Sequence, residues 1–192
     1  MEVVWEKMSK SKYNGVDPAD MVESHGADVT RLSVLFKAPP EQDLEWDERT
    51  AVGQTRWLDR LQDLVVSFGA HGGDPNAVPE GSGGDGSLTK VERDLRRTTH
   101  QTIRAVTAQL TEKHSINVAI AELMKLSNAI ADAPDDARSA VKAEALQALL
   151  LMLCVAIMRA EKRALALNVA ITHTIAAPRL RLTQQPSCGS RL

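Results

Sequence analysis

The chain has 192 residues, of which 43% are hydrophobic and 25% charged, and its net charge of −2 argues against a uniformly basic nucleic-acid binder. Its two cysteines, Cys154 and Cys188, form no CxxC pair and its five histidines show no metal-ligand spacing, so neither a disulfide framework nor a metal site is expected. The longest apolar run, residues 145–158, is shorter than the roughly 18 residues that a membrane span needs, so no membrane partner is expected.

The start of the chain predicts the end of a strand, a polar loop and a helix. Residues 3–5 are apolar, and residues 6–15 are rich in lysine and serine. Asp17 and Pro18 predict a helix start, because an aspartate side chain accepts hydrogen bonds from free amides and proline fits the first helical turn. Gly26 predicts the end of that helix, since glycine adopts left-handed backbone angles without strain.

Two further helices are predicted before residue 69. One covers about residues 28–37 and ends at Pro39-Pro40, because a residue before proline disfavours helical angles. The other begins after its cap, Asp47, and runs to about Phe68. Its apolar positions are Val52, Leu58, Leu61, Leu64 and Val65. Contacts between the parts before and after residue 46 are expected through Leu32, Leu35, Phe36, Trp46 and Trp57.

Residues 69–87 predict a linker, because their Gly, Asp, Pro and Ser content buries too little apolar area to offset the entropy of ordering. Thr89 and Glu92 then form a capping-box pattern at a helix start. Two more helices are predicted, over about residues 116–131 and from about residue 137. The expected core positions of these three helices are Val91, Leu95, Ile103, Val106 and Leu110, then Val118, Ile120, Leu123, Met124 and Ile130, then Val141, Leu146, Leu149, Leu150 and Leu153. The predicted fold is therefore mainly α, with an incomplete antiparallel helix bundle.

One face of the helix that follows Thr89 is basic, with residues Arg93, Arg97, His100 and Arg104 at spacings of four, three and four. Such a face could contact nucleic-acid phosphates, which position a nucleic acid without reading its sequence. A solvated charged surface is an equally good interpretation.

The polar loop contains the motif KMSKS, formed by Lys7, Met8, Ser9, Lys10 and Ser11. Two ammonium groups on a loop are suited to stabilise the negative charge that grows on phosphate oxygens when a triphosphate is cleaved. Serine hydroxyls and loop amides can add hydrogen bonds to those oxygens. Gly15 is expected to let the loop turn sharply. The alternative, a solvated loop beside a helix, is disfavoured by the residues that follow.

The motif and its surroundings resemble the mobile loop of class I aminoacyl-tRNA synthetases. The continuation is similar to the leucyl, isoleucyl and valyl enzymes at Lys12, Asn14-Gly15, Asp17-Pro18, Gly26-Ala27-Asp28 and Arg31-Leu32. Residues 38–41, 43, 46–47, 56–61 and 117–128 look like the leucyl branch, and those around Pro39 to Leu61 most like its mitochondrial form. A valyl or isoleucyl enzyme is the alternative within the family.

This resemblance implies an ATP-dependent leucine–tRNA ligase, in which Lys10 is the principal contact to ATP and Lys7 assists. Residues 7–11 would bind ATP together with Mg²⁺, with no protein-bound metal site. Leucine and tRNA(Leu) would be the partners, with the tRNA contacted by Arg93, Arg97 and Arg104. The complete enzyme is expected to be a monomer in the mitochondrial matrix, or in the cytoplasm if the source is bacterial.

The resemblance runs from about Val3 to Leu153 and predicts three parts. Residues 1–46 would be the end of a catalytic domain, residues 47–153 an anticodon-binding-like bundle, and residues 154–192 a partly disordered tail that departs from the family pattern. The catalytic core and leucine pocket are expected to lie outside this chain, so the chain alone is expected to be inactive, marginally stable and aggregation-prone. A non-catalytic tRNA-binding fragment is the alternative function.

Overall fold

The structure, a computed structural model, describes residues 6–39, 41–71, 88–134 and 139–156. Its helices in these ranges are α1 (Pro18–His25), α2 (Ala27–Lys37), α3 (Glu48–Ala70), α4 (Lys90–Ala108), α5 (Ile116–Ala131) and α6 (Ser139–Ala156). A 3-10 helix covers Lys10–Lys12, and a π-helical turn, Gln109–Lys113, extends α4. The prediction of a mainly α fold is confirmed, and no strand occurs in the ranges given above. The strand predicted at residues 3–5, Pro40, most of the predicted linker and the tail beyond residue 156 lie outside those ranges.

The helix starts follow from local hydrogen bonds that the sequence predicts. The carboxylates of Asp17 and Asp47 accept backbone amide hydrogens over 2.8 Å and 3.0 Å. At the start of α4 the Thr89 amide donates to Glu92 Oε2 over 2.7 Å, and the Glu92 amide donates to Thr89 Oγ1 over 3.3 Å. These bonds satisfy amides that a helix leaves without partners, so the caps fix where α1, α3 and α4 begin.

The third helix ends later than the sequence predicts. The expected end lies near Phe68, but α3 continues through Gly69 to Ala70. The amide of His71 donates to the Ser67 carbonyl over 3.1 Å and so closes the last turn. A single glycine costs a helix only about 1 kcal/mol relative to alanine, which is too little to end it by itself.

A single cluster of buried side chains joins α2 to the helices that follow it. It includes Leu32, Trp57, Leu61, Leu95, Val106, Ile120, Leu123, Leu126, Ile130, Val141, Leu149 and Leu153. Leu35 and Phe36 pack against it, while Trp46 packs on a smaller cluster of Met21, Val29 and Ala51. The residues expected to connect the parts before and after residue 46 therefore do lie at their contact.

Three core assignments made from the sequence are wrong. Val52, Val91 and Val118 are exposed by 43%, 45% and 39%. On α4 the predicted Leu95 and Val106 are buried, together with the polar residues Glu92, Thr99 and Thr102. The Thr99 hydroxyl donates to the Leu95 carbonyl over 2.9 Å, so this polar side chain is buried without an unpaired hydrogen. Apolar character alone therefore misses the polar residues on the inner face of α4.

In the described ranges, each helix is too short or too polar to span a bilayer.

Candidate functional site

The polar loop at the start of the described chain closes on itself in a short turn. Within the 3-10 helix Lys10–Lys12, the Lys12 amide donates to the Ser9 carbonyl over 3.2 Å. The turn ends at Tyr13, whose backbone is left-handed, with φ 51°. The expectation that Gly15 makes the sharp turn is therefore wrong, because the chain has already reversed at Tyr13. The Tyr13 side chain is 95% exposed and so makes little packing contact with the described chain.

Asn14 connects two points of the loop through its side-chain amide. Its Oδ1 accepts the backbone hydrogen of Ser9 over 2.8 Å, and its Nδ2 donates to the carbonyl of Lys7 over 3.3 Å. In the sequence Asn14 stands out only as part of a family pattern, and its bonding role is not predicted there. An asparagine just after a turn-forming polar loop is the available signal, since one uncharged amide supplies both a donor and an acceptor.

Lys7 and Lys10 present exposed side chains on this loop. Neither forms an ion pair with any residue in the described parts of the chain, whereas Lys12 pairs with Glu6. An anion that binds Lys7 and Lys10 therefore displaces no described internal ion pair. The two ammonium groups that the sequence singles out are the ones left available.

The remaining residues of the motif lie on the same loop. Met8 is 42% exposed, and the hydroxyl oxygens of Ser9 and Ser11 are 3.3 Å apart, within hydrogen-bond distance of each other. The loop thus combines two ammonium groups with two hydroxyls at the surface. This is an arrangement that can bind an anion with several oxygens, such as a phosphate chain.

The predicted basic face of α4 is only partly available to a ligand. Arg93 is half-buried and its Nη1 donates to the Leu88 carbonyl over 2.9 Å. Arg97 is exposed, and its Nη1 lies 3.7 Å from Asp94 Oδ1 in a weak pair along the helix. Arg104 is exposed and forms no ion pair with the described residues. Arg97 and Arg104 therefore remain the accessible cations of this face.

His100 is exposed on this face and also takes part in an inter-helix contact. Its Nε2 lies 3.3 Å from Glu144 Oε1 on α6, and Nε of Arg96 lies 3.3 Å from the other oxygen of the same carboxylate. The sequence does not single out Arg96, because its partner lies on a helix far along the chain. The contact ties α4 to α6.

Within the described residues, no three or more His, Cys, Asp or Glu side chains are grouped so that they could hold a metal ion. Cys154 is half-buried, and Cys188 lies outside the described ranges.

Comparison with known proteins places this chain beside one segment of a larger enzyme. The family described as "tRNA synthetases class I (I, L, M and V)" matches residues 5–47. The chain is 49% identical to a leucine--tRNA ligase of Synechococcus sp. (strain WH7803), over 80% of this chain and 18% of the relative. It is 48% identical to the leucine--tRNA ligase of Thermosynechococcus vestitus, over 80% of this chain and 17% of that protein. The chain thus spans less than a fifth of the length of these relatives.

One solved structure of a leucyl enzyme matches this chain over a segment of similar relative length. The crystal structure of the ternary complex of Agrobacterium radiobacter K84 agnB2 LeuRS, tRNA and LeuAMS matches with a TM-score of 0.68 and 26% identity. The match covers 77% of this chain and 19% of that chain. The helical arrangement described above therefore resembles a segment of that leucyl enzyme, in agreement with the leucyl branch expected from the sequence.

The expected mitochondrial location is wrong. Leucine--tRNA ligases that are 45–49% identical to this chain come from cyanobacteria, among them Synechococcus, Thermosynechococcus and Synechocystis species. The residues between Pro39 and Leu61 that suggested the mitochondrial form include buried core positions. A physical reason for the error is that Trp57 and Leu61 are both 2% exposed in the core, so the fold itself requires apolar side chains there.

Proposed function

We propose that this chain, which corresponds to one segment of the class I leucine–tRNA ligases, takes part in the ATP-dependent attachment of leucine to tRNA(Leu) within a complete ligase. The proposal rests on the exposed side chains of Lys7 and Lys10, which form no ion pair with the described residues. Their loop lies inside the family match over residues 5–47. Residues 1–46 would complete the catalytic domain, and residues 47–153 would form the anticodon-binding-like bundle.

The loop would act in the first step of the reaction. The leucine carboxylate attacks the α-phosphate of ATP, leucyl-adenylate forms and pyrophosphate leaves. Lys10 would contact the phosphates directly and Lys7 would assist, because negative charge grows on the phosphate oxygens as the bond breaks. Residues 7–11 would supply the remaining hydroxyls and amides. Mg²⁺ would arrive bound to ATP, which supplies the phosphate ligands that this ion prefers.

The bundle would orient the tRNA in the second step, the transfer of leucine from the adenylate. Arg97 and Arg104 are exposed on α4 and would contact tRNA phosphates, with Arg93 contributing from its half-buried position. Phosphate contacts of this kind set the register of the RNA and not its identity. The complete enzyme would act as a monomer.

The test is leucine-dependent exchange of pyrophosphate into ATP by a chimera in which this chain's matching segment replaces that of the Synechococcus ligase. Lys10→Ala should slow exchange about 10²–10³-fold, the usual cost of one lost electrostatic donor to a transition state. Lys125→Ala on α5, where an exposed lysine pairs with Glu122 over 2.7 Å, is the matched control and should leave the rate unchanged. Exchange that survives replacement of both Lys7 and Lys10 would contradict the assignment.

A second function, tRNA binding without catalysis, is favoured by the exposed Arg97 and Arg104 on a helix packed into the bundle core. The isolated chain should then bind tRNA in a salt-dependent manner while showing no leucine-dependent exchange. Replacing both arginines with alanine should weaken binding and reduce the slope of log affinity against log salt by about 1 for each phosphate that is no longer neutralised. Salt-independent binding, or none, would exclude this function.

A further inference from the structure

We propose that Asn14 is a positioning residue, which holds the loop backbone so that Lys7 and Lys10 meet the phosphates of ATP. This inference rests on the proposed function. The described side-chain bonds of Asn14 reach only residues of the loop itself.

The first step is the placement of the Asn14 bonds along the loop. The amide group of Asn14 reaches the carbonyl of Lys7 over 3.3 Å and the amide of Ser9 over 2.8 Å. Lys10 follows directly and begins the 3-10 turn, in which the Tyr13 amide also donates to the Lys10 carbonyl over 3.4 Å. The backbone between the two lysines and the carbonyl of Lys10 are therefore bonded to Asn14 and Tyr13 at the end of the loop.

The second step concerns what else could hold the lysines. Their side chains are exposed and form no ion pair with the described residues, so the ammonium groups have no internal anchor in that part of the chain. A lysine stem has several rotatable bonds, and the volume that its ammonium group can reach is set by where its backbone begins. Fixing the backbone before ATP arrives lowers the ordering cost when it binds.

The third step concerns the type of residue. Asparagine offers one donor and one acceptor without charge. An aspartate would keep the acceptor for the Ser9 amide, lose the donor to the Lys7 carbonyl, and place a negative charge beside the site that would receive phosphates. An alanine would remove both bonds and leave the loop backbone to water.

The first experiment measures hydrogen exchange at the Ser9 amide in the full chain and requires no catalysis. Asn14→Ala should raise the exchange rate of this amide about tenfold, as expected when one net hydrogen bond is lost. Asn128→Ala, at an exposed asparagine on α5, is the control and should leave the Ser9 rate unchanged. An unchanged Ser9 rate in Asn14→Ala would overturn the inference whatever the chain's function.

The second experiment measures the same variants in the chimera described above. Asn14→Ala should lower kcat of leucine-dependent exchange about tenfold with little change in the KM for leucine and in the melting temperature. Because the residue acts through the lysines, it should cost clearly less in a Lys10→Ala background than alone.

The outcomes separate the two proposals. If Lys10→Ala slows exchange while Asn14→Ala does not, the positioning role is wrong and the proposed function stands. Equal effects of Asn14→Ala with and without Lys10 would also overturn the positioning role. If Lys10→Ala leaves exchange unchanged, the proposed function itself is wrong, and the Ser9 exchange rate still reports whether Asn14 orders the loop.

Discussion

Trp57 on α3 donates its indole hydrogen to the hydroxyl oxygen of Ser127 on α5 over 3.0 Å, with both side chains buried. The Ser127 hydroxyl in turn donates to the Met124 carbonyl over 2.8 Å. The bond joins residues 70 positions apart in the sequence and fixes α3 against the bundle. Both polar groups are satisfied inside the core, which is the condition for burying them at low cost.

Ser127→Ala should destabilise the chain, because it leaves the indole hydrogen of Trp57 buried without an acceptor. The expected loss in the free energy of unfolding is about 1–3 kcal/mol, measured by urea denaturation. Ser67→Ala, at an exposed serine on the same helix as Trp57, should change it by less than about 0.5 kcal/mol. Equal effects of the two substitutions would show that the buried bond contributes little.

Thr89→Ala should weaken the start of α4 by removing one half of its capping box. The expected cost is about 1 kcal/mol in the free energy of unfolding. Thr107→Ala, at an exposed threonine near the end of the same helix, should instead be neutral or slightly stabilising, since alanine has the higher helix propensity. Parallel thermal melts of the two variants test the difference in sign, and a matching shift in both would contradict the capping role.

Gly26→Ala and Gly15→Ala should differ, because only one of these glycines has a backbone that alanine disfavours. Gly26 joins α1 to α2 with φ 84° and ψ 156°, a region that is nearly restricted to glycine. Alanine there should cost about 1–3 kcal/mol of stability. At Gly15 φ is not positive and a Cβ meets nothing within 4 Å, so alanine should be tolerated. A chain equally stable with either substitution would be inconsistent with this backbone assignment.

The exposed apolar side chains of α6 should make the isolated chain prone to aggregation. Leu151 and Val155 lie one turn apart on α6 and are 68% and 80% exposed. Replacing both with lysine should lower the binding of an apolar dye and raise the concentration at which the chain aggregates. Val66→Lys, at an apolar residue 59% exposed on α3, is the control and should have a smaller effect. If the double substitution leaves dye binding unchanged, Leu151 and Val155 do not form the apolar surface that the dye binds.

Several features are predictable from the sequence because their causes are local. Asp17, Asp47 and Thr89 each bond to backbone amides within three residues, so the helix starts can be read directly. Lys7 and Lys10 can be identified because they belong to KMSKS, a motif of five consecutive residues that can be recognised without knowing the fold.

Other features depend on neighbours that the sequence does not place. Val91 and Val118 resemble core residues, yet the helices present other faces, and on α4 Thr99 and Thr102 are buried in place of Val91. The role of Asn14 depends on distances across a closed loop. The sequence lists the residues that make such contacts, but it does not give the distances between them.

Leu32 is fully buried in the core that α2 shares with α5 and α6, and α1 packs on α2 directly after the lysine-bearing loop. The end of that loop is therefore connected to the bundle through α1 and α2, so a tilt of the bundle would also move the loop. Under the proposed function, RNA bound to α4 that tilted the bundle would therefore also move Lys7 and Lys10 relative to the nucleotide. The binding of RNA and the binding of nucleotide would then be coupled through the helices, without direct contact between the two ligands.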